Sequence, residues 1–118
     1  MGAEQFECFH PASDEINTVE KAFTALYQQA EYEYGHSGYT GTIAEKDGFT
    51  VIETVTKPKA ELEAATTSWG ALRLGEVGVT PDWDHPAADD KWGPAACIAV
   101  NTDEGGPFGW FFYGWASS

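Results

Sequence analysis

The sequence predicts a single α+β domain in which one long amphipathic helix and a short second helix pack on a small, mainly antiparallel sheet. Three observations lead to this prediction. An apolar stripe with helical spacing covers residues 14–34, two apolar runs near the C terminus are typical of strands, and 118 residues suffice for one domain. With 42% hydrophobic and 14% aromatic residues, the chain is also too apolar to be disordered.

The N-terminal part of the chain predicts a strand followed by the long helix. Residues 5–10 form the strand because apolar and polar side chains alternate there, and Pro11 ends it. We expect the helix to cover about residues 14–34, with Ser13 as its N-cap. The apolar stripe of this helix consists of Ile16, Val19, Phe23, Leu26, Ala30 and Tyr34.

The rest of the chain predicts three further strands and a short helix. Residues 49–55 alternate β-branched and polar side chains, as in a strand with one buried face. The second helix begins near Pro58. Its expected inward face consists of Leu62, Ala65 and Trp69. Residues 95–100 and 110–115 predict a β-hairpin whose strands are joined by a long loop over residues 101–109.

The strong negative charge of the chain limits the classes of partner. Nineteen acidic residues against six basic ones give a net charge of −13. Nucleic acids and anionic membranes are therefore not expected as direct partners, because both are bound through Lys and Arg. A basic protein, a cation or a neutral small molecule remains compatible with this charge. The ordinary interpretation is that the charge keeps an aromatic-rich domain in solution.

The cysteines and the N terminus predict a cytoplasmic protein. The sequence contains no recognisable signal peptide and no apolar run that could span a membrane. In a reducing cytoplasm the two cysteines, Cys8 and Cys97, are expected as free thiols. The sequence leaves a bridge between them open.

The segment from Gly35 to Lys46 is the strongest candidate for a ligand site. Its glycines and hydroxyl groups suit a loop that cradles an anionic or ribosyl ligand, although it matches neither nucleotide-binding glycine motif. His36 is the candidate base, with Glu45 as its partner, and Trp92 would provide a stacking surface. The residues assigned to this site are His36, Tyr39, Thr40, Thr42, Glu45, Lys46 and Trp92. The alternative is a tight connection between helix and strand that requires glycine.

Two other regions contain candidate chemistry. Residues 82–90 gather carboxylates and His85, but they lack the spacing of calcium or zinc sites. We therefore expect a solvated acidic loop and no metal. Residues 110–115 place aromatic side chains on both faces of one strand. Either this strand is central and both faces are covered, or one face is a contact surface.

Three segments together resemble a family of phage proteins. They are YGHSGYTGTIAEK at residues 34–46, DKWGPA at residues 90–95 and FYGWAS at residues 112–117. In these segments the chain resembles small uncharacterised proteins encoded by bacteriophages of actinobacteria. The resemblance implies expression in the cytoplasm of a bacterial host and a role in host interaction or counter-defence. It assigns no catalytic residue.

We therefore expect a small acidic binding protein of phage type that engages a basic host protein, without a cofactor. One alternative is a domain that binds a small molecule or nucleotide, or acts on it, at the Gly35–Lys46 loop. Another is a virion or scaffold component. The sequence leaves catalytic activity open, while favouring a role without catalysis, and it leaves the oligomeric state open.

Overall fold

The computed structural model describes residues 2–34, 42–90 and 92–117. It has the predicted α+β composition, with a four-stranded sheet of order β1-β4-β3-β2. The strands are β1 (Ala3–Pro11), β2 (Phe49–Lys57), β3 (Ala95–Thr102) and β4 (Pro107–Ser117), and the helices are α1 (Val19–Tyr34), α2 (Lys59–Ala64) and α3 (Pro86–Asp89). The sheet is mixed, because β4 is antiparallel to β1 and to β3 whereas β2 is parallel to β3.

The aromatic strand β4 is central, and both of its faces are covered. Phe112 lies on the face that α1 covers, whereas Tyr113 lies on the opposite face, under α2, α3 and the segment between them. Each face of the sheet packs against a large cluster of buried side chains. The first includes Phe6, Phe23, Leu26, Ile43, Cys97 and Phe112, and the second includes Leu62, Leu74, Val77, Ile98, Phe111 and Tyr113. The first of the two explanations for the aromatic strand is therefore correct.

The predicted long helix is shorter in the structure, because α1 begins only at Val19. Ser13 does not cap it; instead its Oγ accepts from the N–H of Ile16 at 3.0 Å and closes a separate turn. The N-cap is Thr18, whose Oγ1 accepts from the N–H of Lys21 at 3.2 Å. Ile16 still packs against the core below α1, which explains why the apolar periodicity extends beyond the helix. The predicted helix over residues 14–34 is corrected to Val19–Tyr34.

The second helix is confirmed, but one of its predicted inward residues is wrong. Leu62 and Ala65 are buried, whereas Trp69 is 78% exposed. The chain leaves the helix after Ala64 and turns, with Gly70 at φ 87°, so helical spacing no longer applies at Trp69.

The C-terminal hairpin is confirmed, but its loop is short. The ladder continues to Thr102, whose N–H donates to the carbonyl of Gly106 at 2.8 Å. Gly105 adopts φ 93°, which a tight turn requires and which glycine provides at little cost. The predicted long loop over residues 101–109 is therefore wrong, because both strands extend into it.

The two cysteines are free thiols, and the sheet keeps them apart. Cys8 on β1 and Cys97 on β3 both pair with Phe112 of the strand between them. Two strand spacings separate their Cα atoms by about 10 Å. A disulfide needs Cα atoms within about 7 Å, so the bridge that the sequence left open cannot form in this fold.

Burial of these thiols predicts a loss of stability at alkaline pH. Burial raises the pKa of Cys8 and of Cys97 from 9.0 to about 12. The stability that comes from keeping each thiol neutral is complete below pH 9 and is lost as the pH rises towards 12. We expect the free energy of unfolding to fall by about 1.4 kcal/mol per pH unit for each thiol in that window. Urea unfolding between pH 8 and 11 measures this slope.

The variant Cys97→Ala isolates the thiol of β3. It should show a shallower alkaline decline than the parent protein, because one of the two titrating thiols is gone. The same slope in both proteins would contradict the assignment of the decline to Cys97.

Candidate functional site

Residues 42–46 of the predicted ligand site contact the segment next to Trp92 through Lys46. Its Nζ donates to the carbonyl oxygens of Asp90 and Gly93, each at 3.1 Å. Lys46 follows a short 3₁₀ turn, Ile43–Glu45, that Thr42 caps by accepting from the N–H of Ala44. Because Lys46 directly follows this turn, its two hydrogen bonds link residues 42–46 to Asp90 and Gly93.

The side chain of Lys46, including its ammonium group, lies in the interior of the protein. The side chain is 1% exposed, and its Nζ lies 6.0 Å from the ring centroid of Phe6. Burial lowers the pKa of Lys46, and the nearby charge of Asp90 partly opposes this shift. Bonds to two backbone carbonyls compensate for the lost hydration. This arrangement suits a structural clamp better than an anion contact.

The other predicted site residues that the structure describes are less buried than Lys46. Thr42 and Glu45 are half-buried in or beside the 3₁₀ turn, and the indole of Trp92 is 63% exposed. The N–H of Trp92 donates to the carboxylate of Asp90 at 2.9 Å. The remaining members of the predicted site lie outside the described residues. They are His36, Tyr39 and Thr40.

The acidic 82–90 loop is organised by hydrogen bonds within the protein. The hydroxyl of Tyr113 accepts from the N–H of Asp82 at 3.1 Å, and burial raises the pKa of this tyrosine. The Nδ1 of His85 accepts from the N–H of Ala87 at the start of α3. Across residues 2–34, 42–90 and 92–117, no group of three or more His, Cys, Asp or Glu side chains is arranged to hold a metal ion.

A groove between β1 and α1 is the site that the sequence analysis missed. It has a volume of about 450 Å³, and consecutive residues 4–8 of β1 form one wall. The α1 wall follows helical spacing and consists of Leu26, Gln29, Ala30 and Glu33; Thr42 and Ile43 complete the lining. We define these residues as the acidic groove.

Three glutamates are among the residues that line the acidic groove: Glu4, Glu7 and Glu33. Strand alternation places the side chain of Glu4 beside Phe6 on the face towards α1, and that of Glu7 on the opposite face. The described lining contains no Lys, Arg or His. The sequence presents these glutamates as part of a scattered acidic shell. The structure brings Glu33 close to Glu4 and Glu7 because β1 is an outer strand next to α1, which no local pattern in the sequence indicates.

Aromatic exposure is confined to a few separate places in the described part of the chain. Tyr32 on α1 is 92% exposed, while Trp69 and Trp92 lie at turns. The aromatic side chains of Trp110, Phe111, Phe112 and Tyr113 on β4 are instead buried in the core. The ring of Tyr113, for example, packs edge to face against that of Trp83, with 5.1 Å between the ring centroids. No described helix is both long enough and apolar enough to cross a membrane.

Comparison with known proteins gives no relative from which a function could be transferred. No protein-family model matches the sequence. A search of curated proteins finds no match, and neither does a search of solved structures. We therefore base the functional proposal on the acidic groove and on the distribution of charge around it.

Proposed function

We propose that this chain is an acidic binding protein that engages a basic protein partner through the side formed by residues 2–34. The observation that carries the proposal is the uneven distribution of charge. Residues 2–34 contain seven carboxylates and one lysine, whereas residues 42–117 contain twelve carboxylates and five basic residues. A surface of one sign steers an oppositely charged partner and fixes its orientation.

The environment of the basic side chains supports the same proposal. Lys46, the first lysine or arginine in sequence after this side, is buried and therefore adds little positive charge to the surface. Lys21 is exposed on α1, where its Nζ donates to Asn17 at 3.2 Å. The resemblance to phage proteins suggests that the partner is a basic protein of a bacterial host.

A capture experiment with two matched variants tests this function. We expect immobilised protein to capture basic proteins from an actinobacterial lysate and to release them along a salt gradient. Neutralising four carboxylates on the proposed side should weaken capture at least tenfold. This variant carries Glu4→Gln, Glu15→Gln, Glu20→Gln and Glu33→Gln.

The matched control removes the same number of charges elsewhere. It carries Glu61→Gln, Glu63→Gln, Asp103→Asn and Glu104→Gln, all at exposed positions. We expect it to capture the same proteins as the parent. Absence of any captured protein at low salt, or an equal loss of capture in both variants, would contradict the proposal.

A second candidate function is ligand binding where the 42–46 turn meets the 90–93 loop. It is favoured by the contact between these segments and by the exposed indole of Trp92. It is weakened by Lys46, whose ammonium group is engaged by backbone carbonyls. A thermal-shift panel of nucleotides tests it, since a ligand at 100 times its Kd stabilises a protein by about 2.7 kcal/mol.

A further inference from the structure

Resting on the proposed function, we propose that the outer edge of β1 accepts an extended basic segment of the partner as a fifth strand of the sheet. The segment would lie in the acidic groove, between residues 4–8 and α1. It would alternate basic and apolar side chains. Recognition would combine backbone hydrogen bonds to β1 with contacts between side chains.

The backbone of β1 is suited to pairing on its outer side. β1 is the first strand in the sheet order, and it pairs with β4 residue for residue from Ala3 to Pro11. In an antiparallel pair, alternate residues direct their N–H and C=O groups away from the partner strand. β2, at the other edge, has a register shift between Val51 and Glu53, and such bulges discourage the addition of a strand.

The side chains of the groove define what the added strand must contain. On the face towards α1, Phe6 is buried and Cys8 is half-buried, and Leu26 and Ala30 lie across from them. Apolar side chains of the added segment would extend this surface. Strand alternation places the carboxylate of Glu7 on the face of β1 away from α1, where the basic side chains of an alternating segment would lie. Glu4 and Glu33 lie on the α1 side and add negative charge close to the segment.

The same charges argue against a second copy of this chain as the occupant. Pairing β1 with another β1 would bring Glu4 and Glu7 of each copy close to carboxylates of the other. Like charges across paired strands are destabilising, and charged edges are a common defence against self-association. A basic segment would instead be attracted to the carboxylates of Glu4 and Glu7.

The direct test uses a synthetic peptide and amide hydrogen exchange measured by NMR. The probe is an acetylated and amidated peptide of three lysine–valine repeats. Its control has the same length and charge, with proline in place of valine, because proline cannot donate to a strand ladder. We expect the probe to protect alternate amides within residues 4–8 and to bind at least tenfold more tightly than the proline peptide.

Two charge-reversed variants separate the groove from the net charge of the protein. Glu7→Lys with Glu33→Lys reverses a charge on each side of the added strand and should weaken binding at least tenfold. Glu61→Lys with Glu63→Lys changes the net charge equally at exposed positions of α2 and should leave the Kd within about threefold. Far-ultraviolet circular dichroism and urea unfolding confirm that both variants fold.

Each other outcome overturns the inference. Retained capture of basic proteins without protection of residues 4–8 would leave the proposed function standing and remove the groove as its site. Equal weakening in both variants would reject the groove and the proposed function together. Equal binding of the two peptides would exclude strand addition. Failure of the probe to bind at low salt, or protection of residues 4–8 through self-association in the absence of peptide, would also reject the proposal.

Discussion

Replacing Phe112 with alanine is expected to lower the free energy of unfolding by about 3–5 kcal/mol. The side chain is 0% exposed on the central strand. Its ring contacts that of Phe23 at 5.7 Å and that of Phe49 at 5.8 Å, which joins β4 to α1 and to β2. Alanine would remove these contacts and leave a cavity between three elements. Urea unfolding at pH 7 measures the change.

Because domains are stabilised by only about 5–15 kcal/mol, Phe112→Ala could fail to fold, and a milder variant is needed. Phe112→Leu retains much of the apolar volume and should cost roughly 1–2 kcal/mol. Tyr32→Ala is the matched control on the surface, since Tyr32 is 92% exposed and should change stability by less than about 0.5 kcal/mol. Similar losses for Phe112→Leu and Tyr32→Ala would contradict this account of the core.

Replacing Lys46 with alanine is expected to lower the free energy of unfolding by about 2–4 kcal/mol. The substitution leaves the carbonyls of Asp90 and Gly93 without the ammonium donor and removes the packing of the aliphatic stem. Urea unfolding measures the global loss. Hydrogen exchange of the 88–95 peptide measures the local one, which should appear as faster exchange.

Two further lysine substitutions test whether the hydrogen bonds of Lys46 cause the predicted loss of stability. Lys46→Met keeps most of the stem and loses the charge, so it isolates the hydrogen bonds to the 90–93 loop. We expect it to show the same faster exchange of the 88–95 peptide with a smaller global loss. Lys21→Ala on the exposed face of α1 should change stability by less than about 0.5 kcal/mol. Unchanged exchange in both Lys46 variants would refute the clamp.

Local patterns in the sequence were sufficient for most of the secondary structure. The stripe from Val19 to Ala30 predicted α1 because helix periodicity depends only on neighbouring residues. Its start was wrong because Ser13 and Thr18 are both competent caps, and packing of Ile16 hides the boundary between turn and helix. Trp69 was misplaced because a turn, which helical spacing does not anticipate, intervenes after α2.

The candidate site was predictable only in part. The sequence indicated Lys46 and the segment that contains Trp92, and the structure brings Lys46 into contact with Asp90 and Gly93. The lysine was assigned to a ligand, because a sequence does not show that backbone carbonyls will accept from its ammonium group. The acidic groove was missed, since Glu7 and Glu33 lie 26 residues apart in the chain.

The α+β class, the approximate elements and the net charge follow from the sequence, because each depends on composition or on residues close together in the chain. The strand order, the covering of both faces of β4 and the outer position of β1 become visible only in the folded protein. These depend on contacts between distant segments, which carry no local signature. Part of the acidity that first served to exclude partners is thereby located in a groove beside β1, the outer strand of the described sheet.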